Sequence, residues 1–130
     1  MSEQENLAVV ERRFREHPML VDAGETLAAI YSPDVVLHGP GESFHGIEGI
    51  QEAAAITRAA FSQIEMTVES MEAAGSDRVV THIVGRSVHT GDFQGVKATG
   101  NPIQVRAMVV SRLADGLIVE EWRNMTWRPA

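Results

Sequence analysis

VVTHIVGRSVHTGDFQGVKATGNPIQVRAMVVSRLADGLIVEEWRNMTW, residues Val79 to Trp127, alternates in the manner of a β-meander. Ala114-Asp115-Gly116 separates two alternating runs, and Gly116 can take the left-handed conformation that a three-residue hairpin loop needs. Pairing Leu113 with Leu117 across that loop sets the register by counting. Val110 then faces Glu120, Met108 faces Trp122, Arg106 faces Asn124 and Gln104 faces Thr126, all on one face because side chains alternate along a strand. The opposite face reads Ile103, Val105, Ala107, Val109 and Ser111 with Leu117, Val119, Glu121, Arg123 and Met125. One face carries a polar cluster with an indole, and the other is mainly apolar in its first strand. Both need cover, which in so short a chain means helices on one side and a second subunit on the other.

Upstream of the meander, Leu7, Val10 and Phe14 recur at helical spacing, which predicts an amphipathic helix over residues 4–22, bent near His17-Pro18. Thr26 to Tyr31 forms a short second helix that Ser32-Pro33 breaks. Asp34 to His38 is the first strand, Gly39-Pro40-Gly41-Glu42 a loop, and the Ala-rich stretch from Ile47 to Phe61 a third helix. Strands follow at Ile64–Ala73, Arg78–His89, Pro102–Leu113 and Leu117–Trp127. No linker or repeat divides residues 1–130, so the chain reads as one α+β domain with helices on one side of a curved, mostly antiparallel sheet.

Composition narrows the function classes. A chain of 130 residues can bury about two-thirds of its unfolded surface, enough for one core. Eighteen acidic residues against eleven Lys plus Arg give a formal charge of −7, with no basic patch, which disfavours nucleic acid and anionic membrane partners. The absence of cysteine removes disulfides and thiolate metal sites. No run reaches the length of a membrane span and Met1 to Asn6 lacks a signal-like apolar core, so a cytoplasmic protein is expected. The five histidines show no His-x-x-x-His spacing, and neither a phosphate-binding Gly-rich loop nor a Gly-x-Ser-x-Gly elbow occurs; neither a metal nor a cofactor is expected.

Four segments together resemble the SnoaL-like polyketide cyclase family, of the nuclear transport factor 2-like superfamily: Tyr31-Ser32-Pro33-Asp34-Val35-Val36-Leu37-His38, Phe44-His45-Gly46-Ile47-Glu48-Gly49-Ile50, Val88 to Gly95 with Ala98-Thr99-Gly100, and Asp115 to Trp122. The resemblance implies a cone whose sheet wraps around the N-terminal helices and encloses a pocket. It is less specific for the reaction, since the superfamily includes cyclases, isomerases, dehydratases, epoxide hydrolases and proteins that only bind. Family members share a last-strand Trp followed four residues later by an Asp, the acid/base of an intramolecular aldol closure. Here the fourth residue after Trp122 is Thr126, whose hydroxyl does not exchange a proton at neutral pH as a carboxylate does.

A different base is therefore needed, and the polar face supplies candidates. His38 ends the first strand where this fold opens its pocket, and an imidazole titrates near neutrality. The alternative is a strand-end histidine bonded to backbone. Pairing Val88 with Gln104 sets His82 opposite Val110 and near Glu120, whose carboxylate would orient the ring, as would a purely structural ion pair. Arg106 and Asn124 can stabilise an oxygen that gains charge, Asn124 alternatively serving only to hold Arg106. Arg86 either joins Arg106 around an anion or turns outward at the rim. Trp122, Met108, Met66 and Phe61 would wall a pocket for a flat substrate, or form plain core, and Tyr31 and Thr126 complete the expected substrate contacts. His45 and His89 read as fold-supporting or rim residues.

The resulting expectation is a cofactor-free cyclase or isomerase acting on an apolar, oxygenated carbonyl compound. His38 and His82 serve as bases, Glu120 orients, and Arg106 with Asn124 stabilises the oxyanion. Epoxide opening, which wants two carboxylates around an arginine, and a non-catalytic binding or dimerisation module are the alternatives. The apolar row Ile103, Val105, Ala107, Val109 predicts a homodimer packed through the sheet.

Overall fold

The computed structural model describes residues 2–16, 25–39 and 41–130. Helix α1 (Glu3–Glu16) and the short helix α2 (Glu25–Ala28) precede strands β1 (Tyr31–Gly39) and β2 (Glu42–His45). Helix α3 (Gly46–Ala60) then leads into the strands β3 (Phe61–Ala73), β4 (Arg78–His89), β5 (Pro102–Ala114) and β6 (Leu117–Pro129). They form one six-stranded sheet in the order β2-β1-β6-β5-β4-β3. All neighbours are antiparallel except β1 and β6, which run parallel. The α+β reading and the mostly antiparallel sheet agree with this architecture. The expected helix from residue 17 to residue 22, with its bend, lies outside the described residues.

Local chemistry accounts for the elements. Ser2 and Glu5 form a reciprocal capping box: the Glu5 N–H donates to Ser2 Oγ at 3.1 Å and the Ser2 N–H to Glu5 Oε1 at 3.4 Å. Val10 and Phe14 are buried on the inner side of α1, while ion pairs at i,i+4 (Arg12 with Glu16, Arg15 with Glu11) dress the outer side. In α3 the residues Ile50, Ala53 and Ala54 are buried, and the small alanines let the helix lie close to β1. Several boundaries differ from expectation. Tyr31 opens β1 rather than closing α2, Phe61 opens β3 rather than closing α3, and Glu42, the last residue of the expected loop, begins an edge strand that runs to His45 and pairs with β1. That strand is too short and too exposed to show an alternation in sequence.

The β5–β6 hairpin also differs. Asp115 and Gly116 form a two-residue turn with both φ angles positive, 53° and 80°, so that Ala114 pairs with Leu117 and Leu113 with Ile118. The register then slips between Arg112 and Leu113, leaving Val119 as a bulge, and the ladder continues as Arg112–Glu120, Val110–Trp122, Met108–Asn124 and Arg106–Thr126. The expected pairs were therefore two residues out of register. A slip of two keeps every side chain on its face, whereas one would invert them. Gln104, Arg106, Met108, Val110, Glu120, Trp122, Asn124 and Thr126 do share one face. Below the bulge Ile118 takes the buried position expected of Leu117 and Val119. The β4–β5 register is likewise shifted: Val88 pairs with Pro102, and His82 with Met108.

The face opposite the polar cluster is the inner one. Helix α1 packs against β3, β4 and β6, and α3 against β1, β2 and β3. The core joins Val10, Phe14, Leu27, Ile30, Val35, Leu37 and Ile50 to Val79, Ile83, Val109, Leu113 and Ile118 of the sheet. The row Ile103, Val105, Ala107, Val109 is therefore covered by the chain itself, and the argument that it needs a second subunit does not stand.

Candidate functional site

Between the inner face and the helices lies a cavity of about 270 Å³. Leu37, Phe44, Phe61, Ile64, Met66, Ile83, Val105, Ala107, Val109 and Met125 give it apolar walls. Small residues in its lining leave it room, namely Ala53 on α3, Gly85 and Ser87 on β4, and Ala107 on β5. Arg13 and Arg123 line it as buried or mostly buried cations, and the exposed acids Glu42 and Asp92 also line it, at the rim. Asp92 and Phe93 belong to the segment between β4 and β5, where Phe93 packs edge-on against Phe61 at 5.0 Å. The Asp92 Oδ1 accepts the Ala98 N–H at 3.0 Å, which fixes the carboxylate's orientation.

A buried polar network closes one end. Glu121, with no exposed surface, accepts from Arg13 Nη2 at 3.2 Å, from Tyr31 Oη at 3.2 Å and from Ser111 Oγ at 3.4 Å. Arg13 Nε donates to Tyr31 Oη at 2.9 Å. Arg123 Nε stands 3.5 Å from Glu121 Oε1. Burial alone would push the Glu121 carboxyl up, but the Arg13 and Arg123 charges and the hydrogen bonds outweigh it and hold it below the ordinary range. Burial pushes the Tyr31 hydroxyl up, against the pull of Arg13, so the phenol stays protonated. The network lies behind the cavity wall and orients Arg13 and Arg123.

The expected site residues separate cleanly. Phe61 and Met66 line the cavity, and Tyr31 lies just behind it in the network; Arg86 borders the cavity too, but it is exposed and stands opposite Gln104 on the outer face. His38, His82, Arg106, Glu120, Asn124, Trp122, Met108 and Thr126 lie on the outer face and are not among the cavity-lining residues. The structure does bring His38 and Glu120 together, with Nε2 2.7 Å from Oε2, and stacks His38 on Trp122 at 5.5 Å. The bond from His38, with the Arg112 charge, holds the Glu120 carboxyl below its usual range. His82 stands opposite Met108 and Arg112 opposite Glu120, so the expected His82–Glu120 proximity is replaced by His38–Glu120. Arg106 faces Thr126 rather than Asn124 and pairs with Glu69 at 3.0 Å. His89 is fully buried against Phe61 and Trp127, in the fold-supporting place rather than at a rim, and among the described residues neither ring nitrogen has a hydrogen-bond partner.

Sequence reasoning passed over Arg13, Glu121, Arg123 and Asp92. The available signal was Glu121 and Arg123 two positions apart on one face, opposite an otherwise apolar row, where charge is retained only with a partner. Among the described residues no group of three His, Asp or Glu side chains could hold a metal, and no helix is long and apolar enough to cross a membrane.

The sequence model of the SnoaL-like polyketide cyclases matches residues 12–125. The chain belongs to this family. It is similar in structure to a SnoaL-like protein of Jannaschia sp. CCS1, at 23% identity over 94% of this chain and 85% of that one, with a TM-score of 0.82. IdmH of Streptomyces antibioticus is 29% identical over 96% of this chain and 92% of its own, with a TM-score of 0.68. A Catenulispora acidiphila protein with a ketosteroid isomerase-like fold, in complex with trimethylamine, matches at 18% identity over 89% and 83%, with a TM-score of 0.69. No curated protein matches the chain.

Proposed function

We propose that this SnoaL-like chain is a cofactor-free acid/base enzyme that cyclises or isomerises an apolar, oxygenated carbonyl compound held in the inner cavity. The observation that carries this reading is the pairing of apolar walls with two kinds of polar group, a mostly buried guanidinium at Arg123 and an oriented carboxylate at Asp92. Arg123 holds a ligand oxygen in a medium of low dielectric, where a fixed charge is worth far more than in water. Asp92 takes a proton from the carbon next to the carbonyl and returns it at the new position, so that no net proton is consumed. The likeness to IdmH, for which polyketide cyclisation has been suggested, supports the class of compound.

Epoxide opening finds less support: the buried network is one carboxylate between two arginines, the inverse of two carboxylates around one arginine. A second reading puts the chemistry on the outer face, because His38 and Glu120 meet at 2.7 Å there. A third is a binding module without turnover. The test is α-proton exchange into deuterated water, followed by NMR, over a panel of cyclic and polyketide-like ketones. The cavity reading expects exchange that falls by about 100-fold or more in Asp92→Asn and is insensitive to His38→Gln. Dependence on His38 would favour the outer face, and no exchange with any ketone would leave a binder.

A further inference from the structure

Among the described residues, the charged side chains at the buried end of the cavity are two guanidiniums to one carboxylate. Arg13 and Arg123 both line it, and they share one carboxylate oxygen, Glu121 Oε1, at 3.2 and 3.5 Å. The Arg13 side is well satisfied, since Tyr31 and Ser111 donate to the same carboxylate that Arg13 meets. Arg123 is not. Its Nε and Nη2 are shielded from solvent without a hydrogen-bond partner among the described residues, while the remaining exposed part of its side chain, 22%, lines the cavity. A guanidinium cannot shed its proton to relieve this, so its desolvation is offset only by a counter-charge. The nearby walls, Val105, Ala107, Val109 and Met125, offer none. Among the described residues Glu121 is the one carboxylate within 4.0 Å of Arg123, so the rim acids do not neutralise it.

We propose that the ligand supplies the missing charge: it is an apolar carboxylic acid, bound as its carboxylate with the head against Arg123 and the skeleton directed to the rim. The inference rests on the cavity reading above and names its substrate class. Arg–carboxylate interactions are charge-assisted, and a carboxylate head set against the part of the Arg123 side chain that reaches the cavity supplies a counter-charge to its guanidinium. Glu42 and Asp92 favour the same polarity, because they repel an anionic head at the mouth. With the head anchored at Arg123, the reacting carbonyl is a separate group of the ligand, closer to Asp92.

Two probes of the same shape decide it, 2-naphthoic acid and methyl 2-naphthoate, titrated calorimetrically at pH 7 into the full chain. The acid is expected to bind at least about tenfold more tightly than the ester, the order of a charge-assisted hydrogen bond. Arg123→Met should remove that preference, so that acid and ester bind alike, and Arg123→Lys should keep part of it. If Arg123→Met fails to fold, the acid-to-ester ratio of the wild type still decides. Equal or tighter binding of the ester overturns the anionic ligand and leaves the cavity reading standing. Binding of neither overturns both.

Discussion

Arg13 on α1 and Glu121 on β6, 108 positions apart in sequence, meet at 3.2 Å with both side chains almost wholly buried. This contact joins the first helix to the last strand and sets the wall of the cavity. Removing one partner leaves a buried charge without compensation, which costs about 3–5 kcal/mol. Glu121→Gln is therefore expected to take away a large part of the 5–15 kcal/mol that typically stabilises a domain. Urea denaturation at pH 7 measures it. Replacing Arg13, Glu121 and Arg123 together with apolar residues should recover part of the loss, since that variant removes both guanidiniums along with their shared carboxylate; a triple variant as unstable as Glu121→Gln would show that packing, not charge, is at stake.

The same pair dictates acid behaviour. The Glu121 carboxyl is held below the ordinary carboxylate range in the folded state, so between the folded and unfolded values the unfolded chain binds more protons. Stability from this group is thus fully present above the unfolded value, about 4.3, and is lost as pH falls through the folded one. Glu120 acts in the same direction. Melting temperatures measured from pH 7 down to pH 3 should fall steeply below about pH 4.5, and Glu121→Gln should flatten that limb while lowering the whole curve.

Cavity size is set by small inner residues, and Ala107 is placed to test it because it lies between Ile83 on β4 and Met125 on β6. Ala107→Phe projects a ring into about 270 Å³ of space rather than into packed core. The expected stability change is at or below the roughly 1–3 kcal/mol of an overpacked core. Loss of naphthoate binding with a retained melting transition would tie the ligand to this cavity.

The outer residues that sequence favoured as catalytic give the opposite expectation. His82→Gln and Arg106→Met change exposed side chains, and Arg106 meets Glu69 only at the surface. Neither side chain lines the cavity, so both should leave turnover of a cavity ligand unchanged. A large loss of turnover in either would move the reaction to the outer face.

How much was legible follows from these residues. Alternation with period two put Arg106, Met108, Glu120, Trp122, Asn124 and Thr126 on one face, and that survives. The register did not, because Asp115-Gly116 turns in two residues and Val119 bulges, and a bulge leaves no mark in an alternation only a few residues long. The cluster of polar residues looked like a site because charge was assumed to seek the pocket, whereas on this fold the polar face of the meander is the solvent side. Arg13 was hidden for another reason. Helical spacing marks Val10 and Phe14 as inward, but whether an arginine beside them is buried depends on Glu121 at the far end of the chain.

Assembly is the remaining expectation, now on different grounds. Both long helices pack on the inner face, so among the described residues nothing covers the outer surface of β4, β5 and β6. That surface exposes Met108 at 38% and carries half-buried Val84, Val110 and Trp122 beside the charges of Arg106, Arg112 and Glu120. Opposite charges interspersed with apolar groups suit a two-fold contact, in which the patch must complement itself. We expect a homodimer packed through this face, burying about 800 Å² per subunit. Light scattering at tens of micromolar should give twice the chain mass, and Met108→Glu, which sets like charges against each other across the two-fold axis, should give the monomer with the fold intact. A wild-type monomer at that concentration would reject the dimer. A dimer unaffected by Met108→Glu would place the contact on another surface.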